Sequence, residues 1–427
     1  VSNRVLGYSI GVDGTLVDHT ADVALGQQDF TSSTSGLSDF EMSGPKAVAI
    51  DLVNRQLFVA DTGNNRVMVF NITDGATTGM VALYVIGQPS VFDNTAGTSQ
   101  ALLSQPTGLD YDHGSNVLYI ADTGNNRVIV IGQTDFNTAT SGLSATKFSA
   151  PQGVDVNTNG DILVTDTGNN RVLEFAGNIA ANGNSATQVI GQVNVTLGTS
   201  GLTDSTLNAP TSAVWDYSRG LLYVSDTGNN RILAYDVAGG VFDGMSATFV
   251  IGQSNFTSGS AAVAQDRVSA PASVVTLDIV DEVGGSTFDA GARENIWVSD
   301  SGNNRVLIFD YELPATPTAG EAIDVIGHYS TSVSAIGTTP RFTNAAIYSG
   351  DSAPNSFSFS DVKKNYVDTV NHRLFVQDND ANRILIFNLD ASNNLIDRVA
   401  DNVIGKPDFT STGNTVSQQS FSMVDGM

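Results

Sequence analysis

The chain has 427 residues, 44 acids against 19 bases, a formal net charge of −25, no cysteine and only 15% charged residues. Nineteen bases cannot furnish the basic stripe that nucleic acids or an anionic membrane surface need. The missing cysteine removes disulfides, thiolate metal sites and Cys nucleophiles. Six Glu and five Lys are outweighed by Asp and by 42 Gly, residues of turns, so the chain is helix-poor and loop-rich. No apolar run approaches the ~18–20 residues of a spanning helix, so direct membrane insertion is not expected. The start at Val1, without a charged-then-apolar leader, reads as a mature form after signal removal or as a fragment.

In chain order, residues 1–27 align with 229–253 and read as the last two strands, c and d, of a unit whose strands a and b are absent. Six fuller units follow, at about 44–88, 105–133, 150–192, 209–253, 270–328 and 358–406. Each is built from three phrases. A Pro-x-Gly-like opening such as APQGVDV (150–156) predicts strand a. A phrase such as VTDTGNNRVLEF (164–175) predicts strands b and c around a hairpin. There Gly and Asn are expected to take the positive-φ positions. A VIGQ phrase, as at 189–192, closes the unit as strand d. The sixth opening is degraded near SFSDVKKNYVD (358–368), and the second unit fuses c directly into IGQ, predicting a three-stranded blade. Residues 417–427 match the approach to a strand a. Short antiparallel strands repeated in this way, with no 3.6-residue apolar period, describe an all-β propeller of four-stranded blades rather than a helical solenoid. Seven blades are expected, the seventh split between 417–427 and 1–27, with six as the alternative.

The DTGNNR loops with Pro-x-Gly upstream resemble the NHL-repeat β-propellers, over essentially the whole chain. That resemblance implies a fold whose members include RNA-binding ligase-type domains, amidating lyases and extracellular sensors. The low basic count excludes the RNA branch here. The lyase branch implies several His converging in the central channel. His113 and His372 instead fall in predicted a–b turns, His328 replaces the Gln of VIGQ, and His19 lies in a c–d connection.

The repeated pairs Asp61/Arg66, Asp122/Arg127, Asp166/Arg171, Asp226/Arg231, Asp300/Arg305 and Asp378/Arg383 are expected to pin each hairpin, with Arg4 left over in the split unit. No catalytic and no metal residues are expected, and no cofactor; structural calcium is the one exception weighed, in the Asp/Asn/Gly loops. Asn71, Asn194 and Asn255 open Asn-x-Thr sequons and are candidate N-glycosylation sites. The segments 278–295 and 328–358 are the longest departures from the repeat, where a specific site would be grafted. An aromatic pocket near Trp215 or Trp297 would mark a ligand-binding propeller.

The expectation is a secreted, non-enzymatic structural or interaction propeller, extracellular or at the cell surface. Its partners would be further copies of itself, other surface proteins or glycans, with head-to-tail assembly into a filament or surface layer through the incomplete blade. The alternatives are a ligand- or glycan-binding sensor and a metal-dependent enzyme of the lyase or lactonase kind.

Overall fold

The computed structural model describes residues 3–9, 17–18, 20–112, 117–129, 141–156, 160–177, 185–216, 219–276, 295–310, 320–327, 354–411 and 417. The alternating β-branched and aromatic residues form strands throughout. Strands β1 (Val5–Gly7) and β2 (Val23–Leu25) make a two-stranded sheet. Blade one is β3 (Pro45–Asp51), β4 (Gln56–Asp61), β5 (Arg66–Asn71) and β6 (Tyr84–Ile86). Blade two is β7 (Pro106–Asp112), β8 (Val117–Asp122) and β9 (Arg127–Ile129), three strands among the described residues. Blade three is β10 (Gly153–Val156), β11 (Ile162–Asp166), β12 (Arg171–Phe175) and β13 (Gln188–Ile190). Blade four is β14 (Ser212–Asp216), β15 (Leu221–Asp226), β16 (Arg231–Asp236) and β17 (Phe249–Ile251). Blade five is β18 (Ser273–Thr276), β19 (Asn295–Asp300), β20 (Arg305–Asp310) and β21 (Asp324–Ile326). Blade six is β22 (Val362–Asp368), β23 (Arg373–Asp378), β24 (Arg383–Asn388) and β25 (Asn402–Ile404).

The described residues therefore give a six-bladed antiparallel propeller, the stated alternative, and not the expected seven. The inner strands stand side by side in the order β3, β7, β10, β14, β18, β22. The core lies between facing sheets rather than inside any one of them. Tyr223, Ile232 and Phe249 of blade four, for example, interlock with Ile296, Val298, Leu307 and Phe309 of blade five. The two-stranded sheet sits between the last blade and the first. Val5, Val23 and Leu25 pack on Met42, Val59, Met68 and Phe70 of blade one. On the other side Tyr8 packs on Phe375, Ile384, Ile386 and Ile404 of blade six.

The b–c hairpin has a different reason for its glycine than expected. A single 3₁₀ turn (Thr62–Asn64) leads to Asn65, and it is this Asn that takes the left-handed conformation, at φ 52°. Gly63 is needed for space: a Cβ there would lie 2.7 Å from the Ser43 carbonyl oxygen, which accepts the Gly63 amide at 2.8 Å.

Candidate functional site

Each repeated Asp and Arg is fully buried or nearly so. In blade four, Asp226 Oδ2 accepts from Arg231 Nε at 2.6 Å and from Asn229 Nδ2 at 2.8 Å. Its Oδ1 accepts the Asn208 amide, at the threshold of strand a, at 2.6 Å. Arg231 Nη2 then donates to the Thr203 and Thr206 carbonyls of the incoming connection, and Nη1 to Phe256 of the outgoing one. The same Nε–Oδ2 contact spans 2.7 Å at Asp61/Arg66, Asp122/Arg127 and Asp166/Arg171, 2.6 Å at Asp300/Arg305 and 2.8 Å at Asp378/Arg383. Every polar atom of this clamp is turned inward on the chain itself, so the pairs present nothing to a ligand. Arg4 extends the pattern, donating to the Phe30 and Ser417 carbonyls.

Blade six breaks the pattern. Its hairpin reads Asp378-Asn379-Asp380-Ala381-Asn382-Arg383, with Asp380 where the other hairpins hold Gly. The turn shifts, so that the Asn379 amide, one residue early, donates to the Asp361 carbonyl at 2.8 Å. The Asp361 carboxylate meets Lys363 Nζ at 2.9 Å. Burial, then the charges of Asp361 and Asp378, push the Asp380 carboxyl above the ordinary range, with Lys363 opposing. Lys406 replaces the Gln of VIGQ, and burial, with Arg383 nearby, holds its ammonium below the usual lysine value.

The same blade turns an unusual face toward the two-stranded sheet. In β22, Lys364 and Tyr366 are exposed while Asn365 and Val367 between them are buried. Tyr366 is 57% exposed, and its ring leans on Phe375 with centroids 6.3 Å apart. Arg373 lies two residues before Phe375 on β23 and so shares its face. Arg373 is only 4% exposed, yet Nε and Nη1 have no hydrogen-bond partner. Opposite, β3 of blade one exposes Val48 and Ile50. Among the described residues no strand fills the inner positions between these walls, leaving a recess with a buried guanidinium, an aromatic ring and a lysine on one side and aliphatic side chains on the other.

A family model described as the NHL repeat matches residues 103–131 and 148–175, which hold the second and third hairpins of the ring. The chain is an NHL-repeat β-propeller. No curated protein matches this propeller. Among solved structures, a provisionally assigned 6-phosphogluconolactonase from Bacteroides fragilis is similar, with TM-score 0.51, 14% identity and 95% of each chain covered. A second such assignment, from Bacteroides uniformis, has TM-score 0.51 and 11% identity, covering 96% of this chain and 98% of its own. A periplasmic gluconolactonase from Pseudomonas aeruginosa has TM-score 0.49 and 12% identity. The expectation that this NHL-repeat propeller is not an enzyme is thereby corrected. It rested on the lack of a converging His set, but the fold shared with the two Bacteroides structures is one to which lactonase activity is assigned.

The remaining candidates of the NHL-repeat chain divide as follows. His372 lies in an a–b turn at φ 56°, its Nδ1 2.7 Å from Asn393 Oδ1. His19, His113 and His328 fall outside the described residues, as do 278–294, 328–353 and 418–427 of the segments singled out above. Among the described residues no three His, Asp or Glu are grouped as a metal site. Trp215 and Trp297 are buried in the packing between blades. Asn71, Asn194 and Asn255 are exposed, each accepting its own sequon threonine hydroxyl, at 2.7, 2.6 and 2.9 Å. Sequence reasoning missed Arg373, Tyr366 and Asp380. The signal was present as the degraded sixth copy, which was read as decay of the repeat.

Proposed function

We propose that this NHL-repeat propeller hydrolyses a sugar lactone at the blade-six side of the ring. The observation that carries the reading is the cluster Asp361, Lys363 and Asp380 at the b–c hairpin end of blade six, on a fold shared end to end with structures assigned as lactonases. A carboxyl with a raised pKa suits general base work near neutral pH. Asp380 takes a proton as water adds to the lactone carbonyl carbon, and Lys363 offsets charge developing on the carbonyl oxygen. The ring C–O bond then breaks, and the leaving oxygen recovers the proton as a hydroxyl, so lactone plus water gives a hydroxy acid. The test is proton release from glucono-δ-lactone at fixed pH, corrected for spontaneous opening. Asp380→Asn should lower the enzymatic rate by about 10²-fold or more. Folded wild-type protein with no rate above buffer from pH 6 to 8 would overturn the reading.

A second reading is favoured by the lack, among the described residues, of a strand at the inner positions beside Val48, Ile50 and Tyr366. The ring is seven-fold, with β1 and β2 as the outer half of the seventh blade, and its open inner half takes a strand from a further copy. Support comes from Arg4, which donates to the carbonyls of two connections as the motif arginines do. Light scattering at increasing protein concentration tests it, and a constant monomer mass rejects assembly. An extracellular setting, with glycans on Asn71, Asn194 and Asn255, is supported only by composition and exposed sequons. Intact mass of protein from its native source would decide it.

A further inference from the structure

A guanidinium that is buried and lacks partners on two of its nitrogens is costly. Each unmade bond to a charged donor forfeits stability, and burial of a charge without a hydrogen-bonded partner adds to that. Arg373 is in this state inside a chain of net charge −25, although Asp368 stands directly opposite it on β22; that carboxylate accepts instead from the Val370 and Asn371 amides and from Asn371 Nδ2. Every repeated motif arginine has a carboxylate at 2.6–2.8 Å. The face Arg373 occupies is defined by antiparallel register: Tyr366 pairs with Phe375, and Asp368 with Arg373. Arg373 is therefore the diagonal neighbour of Tyr366, a Cβ spacing of roughly 7–8 Å that long side chains bridge. Lys364 stands two residues further along the same face of β22. No other described blade puts two cations and an exposed ring on one face of its a–b pair.

We propose that this wall of the recess binds a small polyhydroxy anion. Arg373 pairs with its carboxylate or phosphate, Tyr366 covers the apolar face of its carbon skeleton, and Lys364 neutralises a second negative group. A planar guanidinium with free Nε and Nη1 suits two parallel bonds to one oxyanion. The inference deepens the lactonase reading by naming the charge class of its ligand, and for the identity of the site it rests on that reading.

The experiment is calorimetric titration of the full chain with three probes: 6-phosphogluconate, gluconate and glucose 6-phosphate. The last two separate a carboxylate source from a phosphate source. Saturable 1:1 binding of at least one probe is expected. Arg373→Gln should weaken it by ~10-fold or more, from loss of charge-assisted bonds. Lys364→Gln and Tyr366→Ala should each weaken it several-fold, while Arg267→Gln, in the connection between blades four and five, should leave it unchanged. If Arg373→Gln lowers the melting temperature enough to obscure folding, Arg373→Lys retains the charge but not the fork, and should still lose most of the affinity. Failure of all three probes to bind folded protein overturns the proposal, as does binding indifferent to Arg373→Gln and Arg373→Lys. Lactone hydrolysis without anion binding would leave the enzyme reading standing and sink this one. Anion binding without hydrolysis would do the reverse.

Discussion

Replacing Asp226 by Ala removes the one group that balances a fully buried arginine. The wild-type carboxylate accepts three bonds, from Arg231 Nε, Asn229 Nδ2 and the Asn208 amide, at 2.6, 2.8 and 2.6 Å. The variant leaves all three donors without that acceptor, in a site with 0% exposure for both Asp226 and Arg231. Breaking a buried pair from one side costs about 3–5 kcal/mol. Summing three lost bonds at about 1–2 kcal/mol each reaches the same range. Arg231 also holds the carbonyls of two connections, so the loss spreads to the edges shared with neighbouring blades. For a chain of this length, 4 kcal/mol corresponds to a fall in Tm of very roughly 4–8 °C. Thermal unfolding followed by the fluorescence of buried Trp215 and Trp297 measures it. The double variant Asp226→Ala/Arg231→Leu should be less destabilised than the sum of the singles, because it strands no charge. A single variant within 1 °C of wild type, or strictly additive singles, would refute the clamp as the main restraint of the hairpin.

Two further perturbations test other parts of the fold. Glu174 on β12 is half-buried, and burial with Asp161 nearby pushes its carboxyl up to about 7. A folded value above the unfolded one means the penalty is absent below about pH 4.5 and grows as pH rises through about 7. Glu174→Gln should therefore raise stability at pH 8 by about 1 kcal/mol, after allowing for solvent screening, and change little at pH 4.5; melting curves at the two pH values check this. Asn230 holds φ 52° while Oδ1 accepts the Ala270 amide and Nδ2 donates to the Gly259 carbonyl, both at 2.8 Å. Asn230→Ala should cost about 2–3 kcal/mol and Asn230→Gly less, since Gly keeps the left-handed backbone; urea midpoints of the two variants separate conformation from hydrogen bonding.

The blades were legible in the sequence because one hexapeptide carries its own partners. The Asp and Arg of each copy meet across the hairpin they define, and the following VIG residues pair back onto the strand that the Arg begins, as in Ile232 with Ile251. Two features resisted. The glycine at Gly63 was read for its dihedral freedom, whereas its constraint comes from Ser43, which lies twenty residues earlier and on another strand's approach. Arg373 lies outside every repeated phrase, and the face it shares with Phe375 is set by that ring's packing against Tyr8, from the far end of the chain. Neither fact has a local signature. Blade count failed for a related reason: counting copies of c and d strands does not show whether their inner partners are in place.

The acidity of the chain bears on the recess in a way that salt can expose. With 44 acids against 19 bases, an approaching anion meets a repulsive field over most of the surface. Six of the bases are the motif arginines, internally neutralised by their aspartates. The attraction available to an anion in the recess is local, from a guanidinium within bonding distance. Raising ionic strength from about 0.01 to 0.15 M shortens the Debye length from about 30 to 8 Å, screening the distant acids far more than a buried contact. Binding of 6-phosphogluconate should therefore hold steady within about 2-fold or tighten, through a faster on-rate, as salt rises. An exposed basic patch would behave oppositely, losing affinity with each increment. Stopped-flow or calorimetric titrations across that range decide it, and a Kd that weakens about 10-fold by 0.15 M would place the anion on surface lysines rather than at Arg373.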